Sequence, residues 1–226
     1  MFKKKKLIKL IAVSIAAGVL TLAPNADNFV SIPILQTSVA HAKSAEDHYN
    51  LGDKYYESGN YRQAIVEYTE AIRLKQPGCY IDAYFCRGLA YHKLQNYDAA
   101  IEDYTKVIES TKGFLSFPTM NKLSYDAYYN RGNAYYDLQK YNEAIADYTK
   151  VIELNPNYAK AYNNRAIVYA LSDKFGESLK DVNKLIELSP NDGAAYKLRG
   201  MIYQMMNDNV RAEADFAKAR ELGYNG

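Results

Sequence analysis

The stretch YNRGNAYYDLQKYNEAIADY, Tyr129–Tyr148, decides how the chain is read. Its tyrosine pairs, its Arg-Gly step and its Asp-Tyr step suit either an active site or a packing unit. The stretch is not alone in the sequence. Segments of 34 residues in the same phase begin at Ala45, Ile81, Tyr125, Ala159 and Gly193. Tyrosine holds the eleventh place of each: Tyr55, Tyr91, Tyr135, Tyr169 and Tyr203. A small residue holds the eighth (Gly52, Gly88, Gly132, Ala166, Gly200) and the twentieth (Ala64, Ala100, Ala144, Ser178, Ala212). A catalytic constellation is needed once, whereas groups that return five times in register are architectural.

Each unit reads as two helices. In the third, Tyr128, Ala134, Tyr135 and Leu138 recur at helical spacing. A polar turn at Gln139-Lys140 follows, and then a second helix over 141–154 carries Ala144, Ile145, Tyr148, Val151 and Ile152 on one face. Asn155-Pro156 and Ser189-Pro190 stop second helices, because proline cannot continue the hydrogen-bond ladder. One helix pair cannot bury its apolar face alone, so the units must stack. The expected fold class is all-α.

The period and its residues resemble the tetratricopeptide repeat (TPR) family. The matching features are a large residue at position four (Tyr84, Tyr128, Tyr162, Tyr196), small residues at eight and twenty, Tyr at eleven, an aromatic at twenty-four (Tyr68, Tyr104, Tyr148, Phe216) and Pro at thirty-two. The family's Trp at position four is replaced throughout, by His48 in the first unit, and unit four departs most with Ala166, Ser178 and Val182. The resemblance implies a right-handed α-solenoid of five helix-turn-helix units: 45–78, 81–114, 125–158, 159–192 and 193–226, with an insert at 115–124. It further implies a concave face, lined by the first helices, that binds a peptide or protein and performs no reaction.

In that family, positions two, five, six, nine, twelve and thirteen face inward. Carried onto this chain, they propose Tyr49, Asn50, Asp53 and Tyr56 in unit one and Phe85 in unit two as partner-binding residues. Unit three offers Tyr129, Asn130, Asn133, Tyr136 and Asp137. Unit four offers Asn163, Asn164, Ile167 and Leu171, and unit five Met201 and Met205. The groove is thus acidic and tyrosine-rich in its N-terminal half and apolar in its C-terminal half, which suits a partner with a basic and an apolar part. Asparagine amides can hold a peptide backbone through both donor and acceptor. The Lys/Arg clamp by which some family members grip a C-terminal carboxylate is not matched, because Tyr129, Ala194 and Leu198 stand where it needs charge or amide.

Arginine recurs at position seven (Arg87, Arg131, Arg165, Arg199), and aspartate at position twenty-three of the same units (Asp103, Asp147, Asp181, Asp215). These are expected to pair across a helix pair or to a neighbouring unit. Unit one has Leu51 and Glu67 instead. Positions twenty-one and twenty-eight are aliphatic in four units and become Glu213 and Arg220 in the last, as expected of a helix that meets water and closes a complete array.

Residues 1–42 read as a signal peptide or N-terminal membrane anchor. Four lysines, Lys3–Lys6, precede a mostly apolar run from Leu7 to Ala23, and Ala40-His41-Ala42 is the best small-x-small cleavage site. The TPR domain is then 43–226. The segment carries five lysines against Asp27, so the formal charge of +2 becomes −2 without it, and nucleic-acid binding loses its electrostatic support. Membrane contact is expected only through this segment if it stays uncleaved.

No catalytic, cofactor or metal site is expected. His48 fills a core slot, His92 is placed on an exposed helix face, and neither shares ligand spacing with Cys79 and Cys86. The two cysteines are read as thiols in preference to a disulfide. The apolar insert TKGFLSFPTMNKLS, Thr111–Ser124, is expected to extend the preceding helix over the ridge between units, with a binding lip as the alternative. Together these features point to a non-catalytic scaffold of the cell envelope or secreted space that binds a protein or peptide. The alternative is an envelope glycan-binding protein that uses Tyr49, Tyr56, Tyr129 and Tyr136.

Overall fold

The computed structural model describes residues 43–75 and 80–224, together with the backbone of Thr21–Leu22 and Val30–Ser31, a short antiparallel pair. The rest of residues 1–42, on which the signal or anchor reading falls, and residues 76–79 (Cys79 among them) and 225–226 lie outside the described residues. From residue 44 onward the chain is one compact unit. It holds α1 (Ala45–Glu57), α2 (Tyr61–Leu74), α3 (Tyr80–Lys93), α4 (Tyr97–Thr111), α5 (Pro118–Asp137), α6 (Tyr141–Leu154), α7 (Ala159–Leu171), α8 (Phe175–Leu188), α9 (Gly193–Met205) and α10 (Asn209–Glu221). Sequential helices pack on one another along the whole series, so the array is an all-α helical-repeat solenoid.

The turn inside every unit is built alike. Its fifteenth residue (Gly59, Gln95, Gln139, Asp173, Asn207) has φ between 57° and 78°, in the left-handed region. In unit three the N–H of Gln139 donates to the carbonyl of Tyr136, and that of Lys140 to Tyr135, both at 2.8 Å. These two bonds satisfy carbonyls that the end of a helix would otherwise leave unpaired. A polar turn is legible in the sequence. Its left-handed residue is not, because only Gly59 lacks the Cβ that disfavours that conformation, and units two and three place glutamine there.

Packing between the two helices of a unit depends on positions eight and twenty-four. A Cβ added to Gly132 would lie 2.8 Å from the ring of Tyr148, and the same holds at 2.6–2.7 Å for Gly52 on Tyr68, Gly88 on Tyr104 and Gly200 on Phe216. Unit four reverses both choices. Ala166 and Val182, each fully buried, meet in one cluster, and the Ser178 hydroxyl donates to the Ala166 carbonyl at 2.7 Å. A methyl group added on one helix is offset by a smaller side chain on the other, so the departures of unit four are paired.

The arginines pair with the aspartates across the helix pair of their own unit, and each adds a bond to the preceding unit that the sequence reading did not include. Arg131 Nε and Nη2 donate to the two carboxylate oxygens of Asp147 at 2.8 Å, while Nη1 donates to Thr105 Oγ1 of the preceding unit at 2.9 Å. Arg87, Arg165 and Arg199 repeat this on Asp103 with Thr69, Asp181 with Thr149, and Asp215 with Asn183. The Arg131 guanidinium also lies 5.4 Å from the ring of Tyr128 and 5.8 Å from that of Tyr135, which gives positions four and eleven a shared task. Burial opposes its charge, but the bonds and charge of Asp147 outweigh burial and raise its pKa above the usual guanidinium value. In unit one, Glu67 meets His48 Nδ1 at 2.7 Å, so His48 is a polar partner as well as a core filler.

The insert extends the following helix, not the preceding one as the sequence suggested. α4 ends at Thr111, and α5 begins at Pro118, seven residues before the repeat frame resumes at Tyr125. Proline at the first helical position explains the direction, since it starts a helix and cannot sit inside one. Thr111, Ser124 and Leu123 pack inward, the first two fully buried. Glu213 and Arg220 of α10 are exposed.

Candidate binding groove

The face made by α1, α3, α5, α7 and α9 takes its polarity from position nine, which lies over the aromatic end of position twenty-four. Asp53 accepts a hydrogen bond from the Tyr68 hydroxyl at 2.7 Å. Asn133 Oδ1 accepts from the Tyr148 hydroxyl at 2.8 Å and from Asn164 Nδ2 at 2.9 Å. Asn164 also reaches the Tyr129 hydroxyl at 3.1 Å and accepts from Asn163 Nδ2 at 3.0 Å, so four of the expected groove residues share one network. Units four and five carry Ile167 and Met201 at position nine and Val182 and Phe216 at position twenty-four, with no hydroxyl to satisfy. Unit two mixes the two patterns: Leu89 stands at position nine, and the fully buried hydroxyl of Tyr104 has no partner.

In the N-terminal half the Tyr49 hydroxyl lies 3.6 Å from the free thiol of Cys86. Burial, opposed by the Tyr49 bond, pushes the thiol pKa up to about 11. Burial and then the charge of Asp53 raise the Asp82 carboxyl above its ordinary value, which puts two carboxylates within mutual influence. Tyr56 packs edge-on against Tyr61 at 5.3 Å, and Phe85 lies 5.9 Å from Tyr104. Asn50 is exposed.

In unit three, Tyr136 and Asp137 are exposed, while Asn130 Nδ2 is turned back onto the Asp126 carbonyl at 2.8 Å. His92 is half-buried, not exposed as expected. Its Nε2 lies 3.0 Å from Asp137 Oδ2 without hydrogen-bond alignment, and its ring meets Tyr97 edge-on. The first helices of units two and three, α3 and α5, therefore contact each other within the groove. Burial depresses the His92 pKa and the Asp137 charge opposes that shift.

The C-terminal half holds a cavity of about 350 Å³ between α7 and α9. Ile167, Leu171, Met201 and Met205, all named from the repeat frame, line it together with Ala170, Leu198 and Ile202, and Asn163 and Lys197 are its polar members. Tyr224 closes one side. It stands at position thirty-two, where the family carries proline. Gly223 at φ 82° turns the chain so that the Tyr224 N–H donates to the Ala219 carbonyl at 3.0 Å. The Gly-Tyr step after a helix was the available signal for this residue. A second cavity of about 270 Å³ shares Asn163 with the first and is lined also by Asn164, Tyr129, Lys160 and Asp192. Among the described residues, no group of three or more His, Cys, Asp or Glu is placed to hold a metal ion.

An array of stacked helix pairs with a lined inner face defines a helical-repeat protein. Profiles of the tetratricopeptide repeat match residues 45–76, 81–109, 125–158 and 147–180, together just over half of the sequence, and the chain belongs to the tetratricopeptide repeat family. The crystal structure of MamA superposes with a TM-score of 0.65 at 25% identity, covering 76% of this chain and 94% of that one. YrrB, described as a TPR protein with an unusual peptide-binding site, superposes with a TM-score of 0.63 at 18% identity over 80% of this chain and 88% of its own, a likeness of fold. The mitochondrial import receptor subunit TOM70 of Mus musculus is 37% identical over 76 residues, 32% of this chain. The chain spans only 12% of that receptor's length.

Proposed function

We propose that this chain is a non-catalytic scaffold that holds a segment of another protein along the face of its first helices. The observation that carries the proposal is the apolar cavity between α7 and α9, joined through Asn163 to a second cavity that reaches Tyr129 and Asp192. Such a face suits a segment with a large apolar side chain for the cavity and a basic group for Asp53 and Asp82. A cation there offsets the burial and, after it, the Asp53 repulsion that raise the Asp82 pKa. Peptide binding by YrrB and the receptor role named for TOM70 lend the family's support.

The site is the cell envelope or secreted space. Support for that location comes from the lysine-led apolar run of residues 1–42. Among the described residues no helix is long and apolar enough to cross a membrane. Glycan binding receives less support than protein binding: sugars need open aromatic faces, and the rings of Tyr49 and Tyr129 pack against Tyr68, Tyr148 and Tyr158.

The test is selection of random phage-displayed peptides on the purified chain, followed by calorimetry of the enriched sequences. Enriched peptides are expected to combine Lys or Arg with a large apolar residue, and M201D should weaken them by about tenfold or more, as befits a central apolar anchor. D53K should weaken only the basic ones. Enrichment of nothing, or indifference to M201D, would overturn the assignment, and retention on purified cell-wall glycan instead would transfer it to the second reading.

A further inference from the structure

The groove leaves one apolar feature unused, the tip between α4 and α5. Phe114 and Phe117 are 54% and 58% exposed, with ring centroids 6.4 Å apart. The tip is ordered by its own bonds: the Phe114 N–H donates to Thr111 at 2.9 Å, Phe117 to Phe114 at 3.0 Å, and Asn121 to Phe117 at 2.9 Å. Two rings are therefore held out in water by a built turn.

We propose that this tip inserts into the interfacial layer of an anionic lipid bilayer. Three observations favour lipid over a protein partner. Two exposed rings offer far less than the ~800 Å² per partner that a stable protein interface needs. α5 starts seven residues before the frame shared by the other first helices, which carries the tip roughly 10 Å beyond the frame position at 1.5 Å per residue. That reach matches the ~5–10 Å depth at which interfacial apolar groups sit, so the rings can be immersed while the charged faces of the array stay in water. Charge completes the match. No acidic residue occurs from Ser110 through Tyr125, and Lys112 and Lys122 stand on either side of the rings. The bounding acids are already met by lysines, Glu109 by Lys106 and Asp126 by Lys122, so the segment keeps a net positive charge from Lys112.

The chain contains no tryptophan, so F117W creates a single, local reporter. The full-length chain carrying F117W is mixed with vesicles of equimolar phosphatidylglycerol and phosphatidylcholine, and with vesicles of phosphatidylcholine alone. The expected result is a blue shift of the tryptophan emission and quenching by brominated acyl chains, with about fivefold weaker response on the neutral vesicles. K112E should abolish that preference, and F114S should reduce the response on both. V210W, at an exposed position of α10, serves as control and should keep a solvent-like emission. A solvent-like F117W emission on vesicle-bound protein would overturn the proposal, because the N-terminal segment alone would then explain attachment. A shift produced by a groove peptide and not by vesicles would equally overturn it, making the tip a lip of the groove.

Discussion

Units three and four share a frame and a backbone yet present opposite chemistry to the groove. In unit three, Tyr148 packs on Gly132, and its hydroxyl reaches through the helix pair to Asn133. In unit four, Val182 packs near Ala166 and has no hydroxyl to present, and Ile167 takes the place of the amide. The apolar cavity opens from that point toward α9. A core residue on the second helix therefore helps set the polarity of the binding floor on the first. Core and site are one problem in this array, which is why packing residues and contact residues interleave in a stretch as short as Tyr129–Tyr148.

The comparison can be broken most severely at the ion pair both units share. R131M leaves Asp147, only 4% exposed, without its partner, and should cost about 3–5 kcal/mol in urea unfolding. Wild-type stability combined with lost peptide binding would return Arg131 to a functional role. A smaller effect isolates the glycine and its ring. G132A should cost roughly 1–3 kcal/mol by forcing the Tyr148 ring to move, and G132A with Y148V should cost less than the two singles together, since unit four uses that pairing. Strict additivity would show that the two positions do not share the space.

Hydroxyls give a finer contrast. Y148F should lose about 1 kcal/mol because Asn133 loses a donor, whereas Y104F, which removes a buried hydroxyl without a partner, should be neutral or stabilising. The smallest effect concerns pH. The folded-state pKa of His92 lies below the ordinary 6.5, so the unfolded chain takes up that proton first as the pH falls. This contribution to stability is complete above pH 6.5 and is lost as the pH falls below it toward the folded-state pKa. H92Q should flatten that part of the pH–stability profile, and an unchanged profile would show that burial of His92 does not matter.

What the sequence made legible follows from periodicity. The Gly132–Tyr148 contact and the Arg131–Asp147 pair recur at fixed places, and repetition exposes whatever every unit needs. Thr69, Thr105 and Thr149 also recur, at position twenty-five, and could have been read as the third contact of three of the four arginines. Features present once had no such signal. The direction of the insert hinged on Pro118 as a helix start, His92 on its proximity to Asp137 across the break in the period, and Tyr224 on a turn at Gly223. The named groove residues lie on the expected helices, but the sequence could not say which amides are already engaged with each other, because Asn133 and Asn164 meet only through stacking of units.

The most direct test rewrites unit four in the terms of unit three. The triple variant A166G/I167N/V182Y replaces methyl, isoleucine and valine with the glycine, amide and phenol that unit three uses. Its unfolding should stay cooperative, and its affinity for a selected apolar peptide should fall by about tenfold or more as the cavity floor becomes polar. Full affinity in a folded triple variant would contradict the claim that the core residue of the second helix sets what the groove accepts.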